Sequence, residues 1–214
     1  MSLILSVINL KGGSGKTTTC GFVAHALHER GLRVLAVDAD PQASLTAWSA
    51  VAGFPFPTIG LATGALHREL PGVAGDFEVI VVDTPPTEHG RTIALSAVRA
   101  ATHVLVPVAP TPVEYQRLAA VATLIEDATD LRADGVPPVV GVLLVRTVAG
   151  AASTEVYRRA ISDDGWSVLR PAVPRLERYA QVIGEPVVGA SATPYAWSVA
   201  ELLGIGEHAE VAGG

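Results

Sequence analysis

Three features of this 214-residue chain predict an α/β fold, a doubly wound, mostly parallel sheet with helices on both faces. Short apolar runs recur along it: Leu3 to Ile8, Arg33 to Val37, Phe77 to Val82, Thr102 to Val108 and Val139 to Val145. They are nearly continuous in Val, Ile and Leu, the pattern of strands covered on both faces. Stretches with helical spacing lie between them, and alternation of this kind implies right-handed crossovers in one parallel sheet. With 49% hydrophobic residues the chain can bury one substantial core, and we expect a single domain over 1–214.

The first run breaks into Lys11-Gly12-Gly13-Ser14-Gly15-Lys16-Thr17-Thr18. A helix follows over residues 17–30, with Phe22, Val23, Ala26 and Leu27 at helical spacing and Gly31 as its stop. If that helix begins near Lys16, the backbone N–H groups of Gly13 to Thr17 are left unpaired and favour an anion, as does the helix dipole. Gly12, Gly13 and Gly15 permit positive φ and close backbone approach to a polyphosphate. Lys16 would reach the β- and γ-phosphates and the Thr17 hydroxyl would bind Mg²⁺. The strict G-x-x-x-x-G-K-[ST] pattern is not met, because Leu10 stands where its first glycine belongs. Lys11 opens the loop instead, and Lys11 and Lys16 are the only lysines among 15 basic residues. A compact ammonium suits phosphate in so tight a loop better than a planar guanidinium. On the same helix, His25 and His28 lack a third ligand and read as surface or rim residues, and Cys20 as a small buried residue. A lone cysteine excludes an intrachain disulfide and a multi-cysteine metal cage.

The second run ends in Asp38-Ala39-Asp40-Pro41-Gln42. Alternation sends residues 38 and 40 to one side at the carboxyl edge, where open α/β sheets bind ligands. Two carboxylates there could act through Mg²⁺ and water, although Asp-Pro alone also accounts for a turn. Residues 53–76 predict a short strand and a short helix near Gly64 to Leu70, with Trp48, Phe54 and Phe56 as a packed cluster. The third run closes in Asp83-Thr84-Pro85-Pro86, a hydrophobic strand ended by the acid that holds Mg²⁺. Thr84 to Gly90 would then face the γ-phosphate. Pro110-Thr111-Pro112 turns the chain into a helix over Val113 to Leu131, and the strand over 139–145 ends at Arg146-Thr147.

The net charge of −6 argues against a strongly basic surface but not against a local patch. Residues 153–183 hold five of the thirteen arginines, Arg158, Arg159, Arg170, Arg175 and Arg178. They form either a solvated face or a track for phosphate backbone. No basic leader and no apolar run of about 18 to 20 residues is present, so a cytoplasmic protein is expected.

The loop Lys11 to Thr18 resembles the deviant Walker A motif of the ParA/MinD ATPases, Asp38 to Gln42 their Walker A′ motif, and Asp83 to Pro86 their Walker B motif. The resemblance covers nearly the whole length, within the P-loop NTPase fold. It implies ATP and Mg²⁺ as ligands and an ATP-dependent sandwich homodimer in which Lys11 reaches the partner's nucleotide. Catalytic roles fall to Lys11, Lys16 and Asp40, the last positioning the attacking water. The metal is assigned to Thr17, Asp83 and, through its water shell, Asp38. The phosphates are assigned to Gly12, Gly13, Ser14, Gly15, Lys16, Thr17 and Thr18, and the adenine to Arg146, Thr147 and Pro174. Non-specific DNA binding through Arg158, Arg159, Arg175 and Arg178, and slow turnover stimulated by a ParB-like or other cargo-bound partner, complete what the small ParA proteins imply. With the loop ten residues in, no helix-turn-helix domain is expected ahead of it. A membrane-surface ATPase of the MinD type is the alternative. Residues 195–214 disfavour it, because they contain no Lys or Arg and carry Glu201, Glu207 and Glu210; packing on the domain is expected of that tail instead. A metal-cluster carrier is opposed by the single cysteine, and a tyrosine kinase by a tail with only Tyr195.

Overall fold

The computed structural model describes residues 2–205, with the side chains of 87–89 left aside. Seven strands form one sheet: β1 (Leu3–Val7), β2 (Val34–Asp38), β3 (Thr58–Gly60), β4 (Val79–Asp83), β5 (His103–Val108), β6 (Val139–Thr147) and β7 (Val168–Pro174). Their order is β3-β2-β4-β1-β5-β6-β7 and every pairing is parallel. Among the described residues eight α-helices connect and flank them: α1 (Lys16–Glu29), α2 (Ser44–Ala52), α3 (Leu66–Val73), α4 (Thr87–Ala100), α5 (Pro112–Asp130), α6 (Ser153–Asp163), α7 (Glu177–Ala180) and α8 (Pro194–Leu203).

Period-two alternation assigns each strand residue to a face. Leu5 and Val7 join Val34, Ala36, Val79 and Val81 in the core under α1, α2 and α8, whereas Ile8, Leu35, Val37, Ile80 and Val82 face α3, α4 and α5. The chain moves to one side of β1 for β2 to β4 and to the other for β5 to β7. The direction of winding therefore changes at β1, and a crevice opens at the carboxyl ends of the strands there.

Several expectations are refined. The short strand and helix of residues 53–76 are β3 and α3, but α3 runs on through Pro71 and is closed by Ala74 N–H donating to the Leu70 carbonyl at 2.9 Å. Trp48, Phe54 and Phe56 do pack together, with the Trp48 and Phe54 rings 5.1 Å apart. Gly21 makes room for that indole, because a Cβ there would lie 2.3 Å from Trp48. His25 is not on the rim. It is 4% exposed, its Nδ1 bonds the Gly21 carbonyl at 2.8 Å, and its ring meets Phe54 and Phe56 edge-on. Burial among those rings pulls its pKa below the ordinary value. In the tail, α8 buries Tyr195, Val199, Ala200 and Leu202 on the domain while Trp197 stays half exposed. Glu207 and Glu210 lie outside the described residues. Among the described residues no helix is long and apolar enough to cross a membrane.

Candidate nucleotide-binding site

A cleft of about 1310 Å³ lies along the carboxyl edge of the sheet, from the β1–α1 loop to the β7–α7 loop. Lys11, Gly12, Gly13, Gly15, Lys16, Thr17, Thr18, Asp40, Arg146, Pro174 and Arg175 all line it, although they come from four separate stretches of the chain. Ser14, Asp38, Asp83 and Thr147 lie buried beneath. Arg158, Arg159 and Arg178 do not line it.

The phosphate loop is built from its glycines outward. Gly13 and Gly15 sit at φ +72° and +90°, and nothing lies within 4 Å of where a side chain would project from either. Gly15 is the N-cap of α1, so the helix begins at Lys16 with its first N–H groups turned to the cleft. The loop entrance is pinned by Asn9, whose Oδ1 accepts from Lys11 N–H at 3.2 Å while its Nδ2 donates to the Pro107 carbonyl at 2.6 Å. Lys16 is 6% exposed and donates through Nζ to the Lys11 carbonyl at 3.0 Å. Burial lowers its pKa, with Asp83 and Asp40 pulling the other way. Lys11 is exposed, and its ammonium makes no hydrogen bond or ion pair among the described residues.

Asp83 stands out among the described residues because both of its carboxylate oxygens are buried without a hydrogen-bond partner. Its register partners are Val7 on one side and Asp38 on the other, and it is 1% exposed. Burial pushes its carboxyl up to about 7; the Thr17 hydroxyl and Lys16 offset this, and Asp38 adds to it. Thr17 lies close enough to help without completing a hydrogen bond of normal geometry. A bare buried carboxylate beside a hydroxyl and an ammonium is costly unless a cation joins it. Mg²⁺ fits that donor set, and a polyphosphate fits the open glycine cradle with its free N–H groups.

Asp38 differs from Asp83 in being satisfied: Oδ1 accepts from Asp40 N–H at 3.2 Å and Oδ2 from Thr46 N–H at 2.8 Å. It shapes the turn that carries Asp40 and holds the start of α2. Asp40 uses Oδ1 to accept from Gln42 N–H at 2.9 Å, the turn that Asp-Pro suggests, and still lines the cleft. Thr84 donates to the Val7 carbonyl at 2.8 Å and ties the β4 tip to β1.

At the far end Pro174, Arg175, Leu176, Tyr179 and Ile183 form a wall that motif reading largely missed. Tyr179 and Tyr195 pack on Phe22 of α1, with the Phe22 and Tyr195 rings stacked at 5.0 Å. Glu114, also missed, sits in the first turn of α5, paired with Arg117 at 3.2 Å and within 3.4 Å of Asn9 Nδ2. Nothing in the local sequence marks these residues; only the β5–α5 and β7–α7 connections bring them to the cleft. Thr147 turns its hydroxyl to the Val173 carbonyl at 3.3 Å rather than to the cleft. Of the arginines, Arg159, Arg175 and Arg178 are exposed, the last lying over the Tyr179 ring at 4.7 Å. Arg158 is held beneath by the Leu169 and Arg170 carbonyls at 2.7 and 3.1 Å.

A parallel sheet whose central strand runs through a glycine cradle into a helix, with an uncompensated acid at the tip of its neighbour, defines a P-loop nucleotide-binding domain. Residues 5–186 match the CobQ/CobB/MinD/ParA nucleotide binding domain, CbiA, and the chain belongs to that family. Maintenance of carboxysome distribution protein A from Gloeobacter kilaueensis is 38% identical over 113 residues, 52% of this chain and 51% of that protein, so the chain spans about half the length of that relative in the match. The chromosome-partitioning ATPase Soj of Thermus thermophilus is 31% identical over 215 residues, covering 83% of each chain. Among solved structures, apo McdA of Cyanthece superposes with a TM-score of 0.77 at 18% identity, over 95% of this chain and 100% of that one, a likeness of fold.

Proposed function

We propose that this chain is a ParA-type ATPase: two copies close face to face on Mg·ATP, the dimer lies on DNA without sequence preference, and hydrolysis releases it. The observation that carries this reading is the contrast between the two lysines of one loop. Lys16 is buried and bonded within its own cradle, whereas Lys11 lines the cleft with both backbone polar groups engaged and its ammonium without a partner among the described residues. A rigidly mounted, unpaired cation is suited to a triphosphate presented by a second copy. McdA and Soj, a maintenance-of-distribution protein and a partition ATPase by name, support a role in positioning plasmid, chromosomal or other cytoplasmic cargo.

Within this reading, phosphoryl transfer to water is organised by positioning and charge. Lys16 holds a compact positive charge where negative charge develops on the β–γ bridge, and the α1 N–H groups hold the phosphate oxygens. Asp40, mounted on a turn that Asp38 fixes, orients the attacking water. Thr17 and Asp83, with Asp38 beneath, would hold Mg²⁺, which would neutralise charge on the phosphate oxygens. Exposed Arg159, Arg175 and Arg178 supply the DNA track, with Arg158 supporting β7 below them. Turnover is slow until a cargo-bound partner completes the site.

Lys11→Ala is expected to retain ATP within a few-fold and to lose ATP-dependent dimers, read by nucleotide titration together with light scattering. A Lys11→Ala protein that dimerises on ATP as the wild type does would sink the cross-subunit role.

A further inference from the structure

At the end of β6 the backbone does something a residue with a side chain rarely does. Arg146 sits at φ +57°, in the left-handed region, and Ala43 is the one other non-glycine residue there among those described. The β6–β7 ladder shifts register between Val145 and Thr147, so Arg146 is the bulged residue, and a bulge re-aims the side chain it carries. Both flanks are locked: Val145 pairs with Val173 and Thr147 with Pro174, and Arg175 N–H donates to the Thr147 carbonyl at 2.9 Å. The side chain so aimed crosses the cleft, and its guanidinium donates to the backbone carbonyl of Gly13, 133 residues earlier in the chain.

We propose that Arg146 is a positioning residue, a strut that holds the phosphate loop in its binding shape from the opposite wall of the cleft. The inference rests on reading that cleft as a nucleotide site, but it concerns the loop rather than the base. Gly13 has no side chain contacts of its own and stands in a run of residues with wide conformational freedom. Freezing such a run when phosphate binds costs affinity, and a loop already held from outside avoids that cost. A guanidinium is suited to the task, because it stays charged, its fork is planar and a charge-assisted bond to a carbonyl is strong. Its alkyl stem at the same time forms part of the cleft wall. The strained φ is tolerated because the ladder on both sides over-determines it.

The test compares Arg146→Met, which keeps the stem and loses every donor, with Arg146→Lys, which restores one. Amide hydrogen exchange of residues 11–15 in the nucleotide-free protein is expected to quicken about five-fold or more in the Met variant and to return towards wild type with Lys, while β5 amides stay unchanged. Competition binding is expected to weaken about ten-fold for ATP and for inorganic tripolyphosphate alike, the scale of one lost charge-assisted bond. Arg146→Gly, which relieves the left-handed strain, is the control for folding: it should melt no lower than wild type and show the same quickened exchange. Unchanged loop exchange in the Met and Gly variants would overturn the strut, as would a loss seen with ATP but absent with tripolyphosphate, which is a contact to the base alone. A wild-type protein that bound neither ligand would remove the nucleotide reading, yet the exchange comparison would still decide whether Arg146 holds the loop.

Discussion

The two ends of the cleft are made in different ways. The phosphate end is compact and buried: Lys16, Asp38, Asp83 and Thr84 are all less than a tenth exposed, and they descend from strand tips and one helix start. The far end, where the base is proposed to lie, sets half-open Leu176 and Ile183, 40% and 51% exposed, beside buried Tyr179 on the short segment after β7. One end holds a buried carboxyl with no hydrogen-bond partner, which burial raises to about 7, while the other offers apolar area that a ligand can cover. We therefore expect substitutions at the first end to cost affinity through charge and steeply, and those at the second to cost little.

That contrast can be broken most sharply at Lys16. Lys16→Ala removes the buried ammonium from the cradle, and we expect ATP affinity to fall by at least about 100-fold, since each charged hydrogen bond to phosphate contributes about 1.5–3 kcal/mol. Titration with a fluorescent ATP analogue measures it; a loss under ten-fold would mean that the backbone N–H groups alone carry the phosphates.

Asp83→Asn should separate stability from binding. A carboxyl raised from 3.8 to about 7 by burial favours the folded state below the unfolded pKa and loses that contribution as pH rises through 7. The full shift corresponds to roughly 4 kcal/mol, and the unpartnered amide left behind retains part of the cost. We expect the nucleotide-free variant to be more stable than wild type by about 2 kcal/mol at pH 8 and to differ little at pH 4, with the Mg²⁺ dependence of ATP binding lost. Chemical denaturation at the two pH values, and ATP titration with and without Mg²⁺, would show it. Equal stability at pH 8 would mean that Asp83 is already compensated in the empty protein.

The far end should answer more quietly. Ile183→Ala removes apolar area from the cleft wall without opening the core, and about 1 kcal/mol of lost cover predicts roughly five-fold weaker ATP with an unchanged melting temperature. Equal loss of ATP and tripolyphosphate in that variant would show that the wall does not contact the base.

Legibility in the sequence divides along the same line. Lys11 to Thr18 and the strand ending at Asp83 could be read directly, because a phosphate cradle needs glycines, a lysine and a hydroxyl at fixed spacing along one stretch of chain. The strands could be read because a sheet covered on both faces demands unbroken apolar runs. His25 was misread as a rim residue because its i−4 carbonyl partner and its aromatic neighbours Phe54 and Phe56 are invisible in a helical pattern. Glu114, Tyr179 and Ile183 carried no local mark at all.

What the amino-acid order determined by itself is the α/β class, the position of the phosphate loop and the acids at the strand tips, each of them a matter of neighbouring residues and short-range periodicity. Only the tertiary structure decided that Asp38 is satisfied by backbone N–H groups while its register partner Asp83 has none, that Arg158 supports β7, and that Arg146 reaches Gly13. Those outcomes depend on strand order, register and a bulge, which set Asp83 beside Asp38 on a separate strand and bring Arg146 to Gly13, 133 residues earlier in the chain, and no local spacing encodes such neighbours.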